Sequence, residues 1–508
     1  MSKLPKGWVE AKLEEVAKWS SGGTPSRSKS EYYSDEIPWI KTGDLNDSIV
    51  EDASEYISEL GLKNSSAKLF PKGSIGIAMY GATIGKTGVF GLAAATNQAC
   101  AVAVPNEAIV PSFLHSYLKF QKPVFIEKGK GGAQPNISQG VIKEHPIPLP
   151  PLAEQERIVA KLDALFASLD VIKGKLDRIP ELLKNFRQQV LTQAVTGKLT
   201  EEWRETKDIE GFRKFYQELE KFHLNKKKPV KVRGQKGIAN EVLFEVPDYW
   251  KWIPNYYLVK DGGNAICAGP FGTIFKAKDF RDSGVPIIFL RHVKPFNFNQ
   301  EKPNYMEPTV WKELHQEYSI YGGEMLITKL GDPPGDAAIY PKDAGVSMVT
   351  PDVMKADYNE HFILPEFATY YFNSKACKEI ISEISFGMTR LRIDLTMFKS
   401  FPIPIPLLEE QQEIVRRVEE LFAIADRVEA QYTSLKEKVD KLPQAILAKA
   451  FKGELVEQDE EDEPASVLLE RIKKDVTLRP SKGKTSKPYP SKESKLSQAA
   501  EERGEYGG

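Results

Sequence analysis

The sequence predicts an α+β molecule: two similar mixed α/β domains separated by two long helices that pair as an antiparallel coiled coil, with pseudo-twofold symmetry. Three observations predict it. PIPLPPLAEQERIVAKLDALFASLD (Pro146 to Asp170) recurs without a gap as PIPIPLLEEQQEIVRRVEELFAIAD (Pro402 to Asp426), 256 residues later. The same offset carries LTQAVTGKL (Leu191 to Leu199) onto LAKAFKGEL (Leu447 to Leu455), so one unit is written twice. In both copies apolar residues then step by 4 and 3 over more than four heptads, from Ile158 to Val190 and from Ile414 to Ile446. A stripe that narrow needs a partner helix, and the other copy is the obvious one.

Residues 1–150 read as the first domain. Short apolar runs such as IPWIKTGDL (Ile37 to Leu45) and GSIGIAMYG (Gly73 to Gly81) are bounded by Gly, Pro, Asn and Asp, which are strand and turn signals. PSFLHSYLKF (Pro111 to Phe120) opens with proline, as a helix can. The first long helix occupies 151–199. Pro180 should kink or interrupt it, as Pro443 should the second. Gly197 and Gly453 suit helix C-terminal caps.

Residues 200–244 form a connector, with a short helix at FRKFYQELEKFH (Phe212 to His223) and a basic stretch, NKKKPVKVRGQKG (Asn225 to Gly237). Residues 245–405 repeat the first domain more weakly. VPDYW (Val246 to Trp250) echoes LPKGW (Leu4 to Trp8), and GGEMLITKLG (Gly322 to Gly331) stands where KGSIGIAMYG stands. The second long helix takes 406–456. Residues 457–508 read as a polar, disordered tail, with one helical stretch at ASVLLERIKK (Ala465 to Lys474). The helices are better preserved than the domains, which implies that the helices share one task while the domains read different things.

The 508 residues are 41% hydrophobic and 28% charged, as in globular soluble proteins. Three distant cysteines give no disulfide framework or metal spacing, which points to a reducing compartment, the cytoplasm. MSKLPKGW does not read as a signal peptide, and no apolar run is long enough to span a membrane. A net charge of −1 gives no general pointer to nucleic acid.

Motifs for catalysis fail on spacing. In GATIGKTG (Gly81 to Gly88) only three residues separate Gly81 from Gly85, one short of a phosphate loop. GDPPG (Gly331 to Gly335) lacks the aromatic of an amino-methyltransferase tetrapeptide and reads as a turn. No metal-ligand spacing, nucleophile with a base, or nuclease carboxylate cluster is visible.

The repeated helix entries and exits resemble the specificity subunit of type I restriction-modification systems. So do the domain openings PKGWVEAKLEEVAKWSSGGTPSRS (Pro5 to Ser28) and GPFGTIFKAKDF (Gly269 to Phe280), and QPNISQGVIKEHPIPLP (Gln134 to Pro150). The second domain departs at TRLRIDLTMF (Thr389 to Phe398), which stands where QPNIS does and puts a shared role of those residues in doubt. The resemblance implies two target-recognition domains reading the halves of a split double-stranded DNA sequence. It implies two adenine-N6 methyltransferase subunits and two motor-nuclease subunits as partners. It also implies no active site and no bound cofactor here; S-adenosylmethionine, ATP and Mg belong to the partners. A single-chain DNA methyltransferase or nuclease, and a scaffold that binds only protein, are the alternatives.

Polar residues near predicted strand ends are the candidate DNA contacts. In the first domain these are Arg27, Lys41, Thr42, Tyr80, Thr83, Lys86, Gln98, Gln134 and Asn136. In the second they are Lys276, Arg291, His292, Lys294, Lys329, Arg390 and Arg392. Glu154 and Gln155 recur as Glu410 and Gln411 outside the heptad seam. They are expected to dock the two methyltransferase subunits, with capping of the helix starts as the competing explanation.

Overall fold

The computed structural model describes residues 4–129, 135–207, 209–226, 244–270, 275–387 and 390–478. One unit is built from Met1–Lys173 together with Glu437–Gly508, and the other from Gly174–Lys436.

In the first unit the apolar run between Gly73 and Gly81 becomes a fully buried central strand, Ile75–Ala78. It pairs antiparallel with Cys100–Pro105 and Thr87–Phe90; Ala17–Ser21 and Ile49–Val50 complete a five-stranded sheet. A second sheet centres on Ile37–Ile40, antiparallel to Tyr56–Ile57 and parallel to Ala94–Thr96, which also pairs with Leu69–Phe70. Val9–Lys12 pairs with Pro146–Leu149, so the domain opening is tied to the segment that enters the first long helix.

The second unit repeats this plan. Met325–Thr328 lies between Val353–Ala356 and Ala337–Ile339, with Ile266–Ala268 beyond. Val285–Ile288 pairs parallel with Ser347–Val349 and antiparallel with Asn304–Met306. Lys251–Pro254 pairs with Pro402–Ile405.

The first long helix runs Leu152–Leu176, breaks at Asp177 and Arg178, and resumes as Ile179–Val195 with Pro180 in its first turn, where a missing N–H costs nothing. The second runs unbroken from Leu408 to Phe451 with Pro443 inside it. Interruption thus occurs at Pro180 and not at Pro443. An internal proline costs about 3 kcal/mol, and the buried side chains of Val439 and Leu447 hold the helix on either side.

The heptad seam is only partly covered. Leu162, Leu169, Leu176, Leu183 and Val190 are buried, whereas Ile172 and Phe186 are 41% and 38% exposed. In each unit the start of one long helix packs beside the end of the other. Ile158 and Leu162 share a core with Leu447, Ala450 and Phe451. Val190, Leu191, Ala194 and Val195 share one with Ile414 and Val418. The left-handed cap glycines Gly197 and Gly453 lie so close to Pro247 and Pro5 that a Cβ on either would collide.

Residues 457–464 are not the expected disordered segment, and the helical stretch expected at Ala465–Lys474 is present. Asp462 pairs with Arg157 at 2.6 Å, the Ala465 N–H donates to the Gly7 carbonyl, and Ala465–Leu478 is a helix that buries Ala465 and Leu469. Its counterpart, Ile209–Asn225, extends the short connector helix and buries Phe212, Tyr216 and Leu219. Both faces show steps of 4 and 3, the second with half-buried Ile472 after Leu469. Residues 227–243, with most of the basic stretch, and those after 478 lie outside the described residues.

Candidate nucleic-acid interface

A chain of backbone hydrogen bonds builds the same edge on both units. In the first, the Gly23 N–H donates to Thr96 O, Asn97 to Ile40 O, Met79 to Ala99 O, and Ile137 to Met79 O. In the second, Gly269 donates to Thr350 O, Thr350 to Ile288 O, Lys329 to Asp352 O, and Ile393 to Lys329 O. Gly22 and Gly269 are required here because a side chain on either would strike the Thr96 or the Val349–Thr350 backbone. The edge therefore gathers the segments around residues 23, 40, 80, 97 and 136 in one unit, and 269, 288, 330, 351 and 392 in the other.

Most candidate contacts fall on or near these edges. Tyr80 is 45% exposed and bridges to Asn136, also exposed. The Thr83 hydroxyl donates to the Tyr80 carbonyl at 2.9 Å, and Lys86 is half-buried in the same turn. Exposed Gln98 accepts a hydrogen bond from Thr24. Arg27 and Lys41 meet at Glu55, at 2.6 and 2.5 Å, and the Arg27 guanidinium lies 4.6 Å from the Tyr33 ring centroid. Lys41 first, then Arg27, hold the Glu55 carboxyl below the usual carboxylate range. Thr42 is half-buried beside them, and Gln134 lies outside the described residues.

In the second unit Lys276, Lys294, Arg390 and Arg392 are exposed, and Arg392 lies 5.3 Å from the Phe386 ring centroid. Arg291 covers the Phe289 ring at 4.4 Å. Lys329 is half-buried, and burial lowers its ammonium below the usual range. His292 is a correction: it is buried, its Nδ1 accepts the Phe289 N–H at 3.2 Å, and burial, then Arg291, pushes its imidazole down to about 4. It is a buried turn residue that offers no side chain to the surface.

Neither glycine motif leads into a helix. Gly81 to Gly85 joins Ile75–Ala78 to Thr87–Phe90, and Gly331 to Gly335 joins Met325–Thr328 to Ala337–Ile339. These strand–turn–strand connections lack the helix N-terminus that a phosphate site uses.

Glu154, Gln155, Glu410 and Gln411 are the second correction. At 1% exposure or less they present no docking surface. Gln155 accepts the Val110 N–H at 2.8 Å and donates to the Ala108 and Pro150 carbonyls, both at 3.0 Å. Gln411 does the same with the Leu364 N–H and the Phe362 and Pro406 carbonyls. Glu154 accepts the Trp8 indole N–H at 2.9 Å, and Glu410 that of Trp250 at 3.0 Å. The pair recurs because each helix start is bolted to its own domain from inside. Sequence reasoning missed the two tryptophans, although the LPKGW and VPDYW echo had already aligned them.

The model of the type I restriction modification DNA specificity domain matches residues 5–181 and 309–436. The chain belongs to this family. It is 27% identical to the EcoKI specificity subunit of Escherichia coli K12, over 93% of this chain and 96% of that one. It is 28% identical to the Escherichia coli EcoDI specificity subunit, with the same coverage of both chains. Among solved structures, an HsdS subunit from Thermoanaerobacter tengcongensis covers 89% of this chain at 16% identity and a TM-score of 0.54, with 98% of that subunit covered. A chain from a type I R-M system covers 89% at 17% identity and a TM-score of 0.59, with all of that chain covered. At those identities the likeness is one of fold. Among the described residues no group of three or more His, Cys, Asp or Glu is placed to hold a metal ion, and no helix is long and apolar enough to cross a membrane.

Proposed function

We propose that this chain reads a split DNA target for a type I restriction-modification complex in the cytoplasm. Each unit presents its edge to one half-site, and the long helices, paired as an antiparallel coiled coil, set the number of unread bases between. The observation that carries this reading is the recurrence of one backbone edge with different side chains on it. A common frame with unlike donors and acceptors suits two readers of unlike sequences. The chain supplies no catalytic group. Two methyltransferase subunits, with S-adenosylmethionine, and two motor-nuclease subunits, with ATP and Mg, do the chemistry. The exposed apolar residues of the long helices are the places for partners to dock, in place of the four buried residues. They include Val171 and Ile172 in the first unit and Leu182, Phe186 and Ile424 in the second.

The test is a heptad inserted at matched points in both long helices. Seven residues add about 10 Å of helix, close to three base pairs of duplex at roughly 34 Å per turn of about ten. Methylation mapping in cells that also express the methyltransferase partner should return both half-sites with a gap about three base pairs longer. Full-rate methylation at the original gap would refute the ruler.

A further inference from the structure

The second unit's edge ends in a finger: the turn from Lys329 to Asp336, bridged at Leu330 to Arg392. The first unit has the same finger, from Met79 to Lys86, bridged at Tyr80 to Asn136. The two frames share the bonds at their base. Gly85 donates to Ala78 O as Gly335 does to Thr328 O, and both glycines have positive φ. Ala78 donates to Lys86 O as Thr328 does to Asp336 O. Ile137 and Ile393 are both buried, and Ser138 and Asp394 both cap the helix that follows. Leu391 to Asp394 thus keep the backbone role of Pro135 to Ser138, with different side chains on it. Ala82 and Asn136 in one finger stand where Asp332 and Arg392 stand in the other.

Two outward residues of the second finger lack the contacts that a structural role would give them. A turn or cap carboxylate bonds a nearby N–H, as Asp394 does with Met397, or meets a cation, as Asp336 does with Lys378 at 2.6 Å. Exposed Asp332 has no such partner among the described residues. A structural arginine pairs or stacks, as Arg281 does with Glu307 and Arg392 does on Phe386. Exposed Arg390 does neither among the described residues. Both line one cavity of about 350 Å³, with Leu290, Leu330 and Leu391 as apolar walls.

We infer that Asp332 and Arg390 read one C·G base pair of the second half-site in the major groove. The carboxylate accepts from the cytosine exocyclic amine, and the guanidinium donates to the O6 and N7 of the paired guanine. A cytosine shows a donor in that groove and its guanine two acceptors, so an acceptor and a fork of donors on one cavity suit that pair best; an A·T pair also shows one donor, but it splits its two acceptors between the bases and denies the guanidinium the bidentate contact that guanine offers. The inference rests on the DNA-reading function and adds the base pair and the residues that choose it.

The test compares methylation maps for the wild-type chain and for Asp332→Ala, Asp332→Asn and Arg390→Ala, each coexpressed with the methyltransferase partner. Thermal melting of each variant checks that these exposed substitutions leave the fold intact. The wild type should require C·G at one position of the half-site that the second unit reads. Each variant should lose about tenfold or more discrimination at that position alone, with the other half-site unchanged. The inference falls if the half-site has no C·G requirement or if the variants keep full discrimination. It also falls if rates drop equally at every sequence, the mark of phosphate contacts. If the wild type methylates no split sequence at all, the DNA-reading function fails first and takes the inference with it.

Discussion

Glu154 and Glu410 occupy the same place in two copies of one motif, yet their charges are met differently. Glu410 accepts from the Trp250 indole, the Thr200 hydroxyl and the Arg204 guanidinium. Glu154 has its tryptophan and the neutral Gln458 amide at 3.2 Å, while the nearest guanidinium, Arg157, is spent on Asp462. Burial therefore wins at Glu154 and raises its carboxyl above the usual value. Gln155 and Gln411, by contrast, make the same three bonds. The glutamine and the tryptophan are what the motif keeps. The carboxylate's remaining partner comes from whichever segment trails the opposite helix end, a guanidinium in one unit and a neutral amide in the other.

The glutamines should have the largest effect. Gln411→Leu removes the partner of one N–H and two carbonyls, each costing roughly 1–3 kcal/mol when buried unpaired. We expect a loss of about 4 kcal/mol, read as earlier hydrogen exchange in the second unit, and an equal loss in the first from Gln155→Leu. Unequal losses would break the equivalence of the two bolts. Next come the charge partners. Arg204→Ala strands a buried carboxylate and should cost about 3 kcal/mol in urea unfolding, against about 1 kcal/mol for Gln458→Ala. Equal costs would show that the arginine is not what balances Glu410.

The smallest effect is on pH dependence. A carboxyl whose folded pKa is raised holds its proton more tightly when folded. Its contribution is complete below the unfolded value, about 4.3, and is lost as pH rises through the higher folded value. The first unit should therefore gain stability as pH falls from 7 toward that window. Subtracting the Glu154→Gln profile should remove the gain, and a profile unaltered by the substitution would show that Glu154 is not its source.

Much of this was legible in the sequence, and the reasons are physical. A 256-residue offset without gaps fixed the repeated unit because helix packing tolerates few insertions. Strand positions followed from short apolar runs between turn residues. Gln155 was misread because a polar residue outside a heptad seam looks like surface. Its three partners are backbone groups, and no side-chain pattern reveals those. Residues 457–464 looked disordered because QDEEDEP is acidic, yet Asp462 has Arg157 to meet and Ala465 and Leu469 have a core to join. Asp332 looked like an ordinary turn because only the geometry shows that its carboxylate has no hydrogen-bond or ion-pair partner among the described residues.

The division of the chain into one contiguous and one discontinuous unit has a consequence for synthesis. Chains emerge from the ribosome N-terminus first and domains generally fold as units. The second unit, Gly174–Lys436, has all of its residues in hand once that stretch has emerged. The first unit begins earlier and finishes later. Phe113, Tyr117 and Phe120 wait for Phe451, whose ring lies 5.0–5.3 Å from theirs, and Trp8 waits beside a Glu154 still short of Gln458. The first-made recognition domain is thus the last to close, and a nascent chain stalled before residue 437 would carry one finished unit and one with an open apolar face.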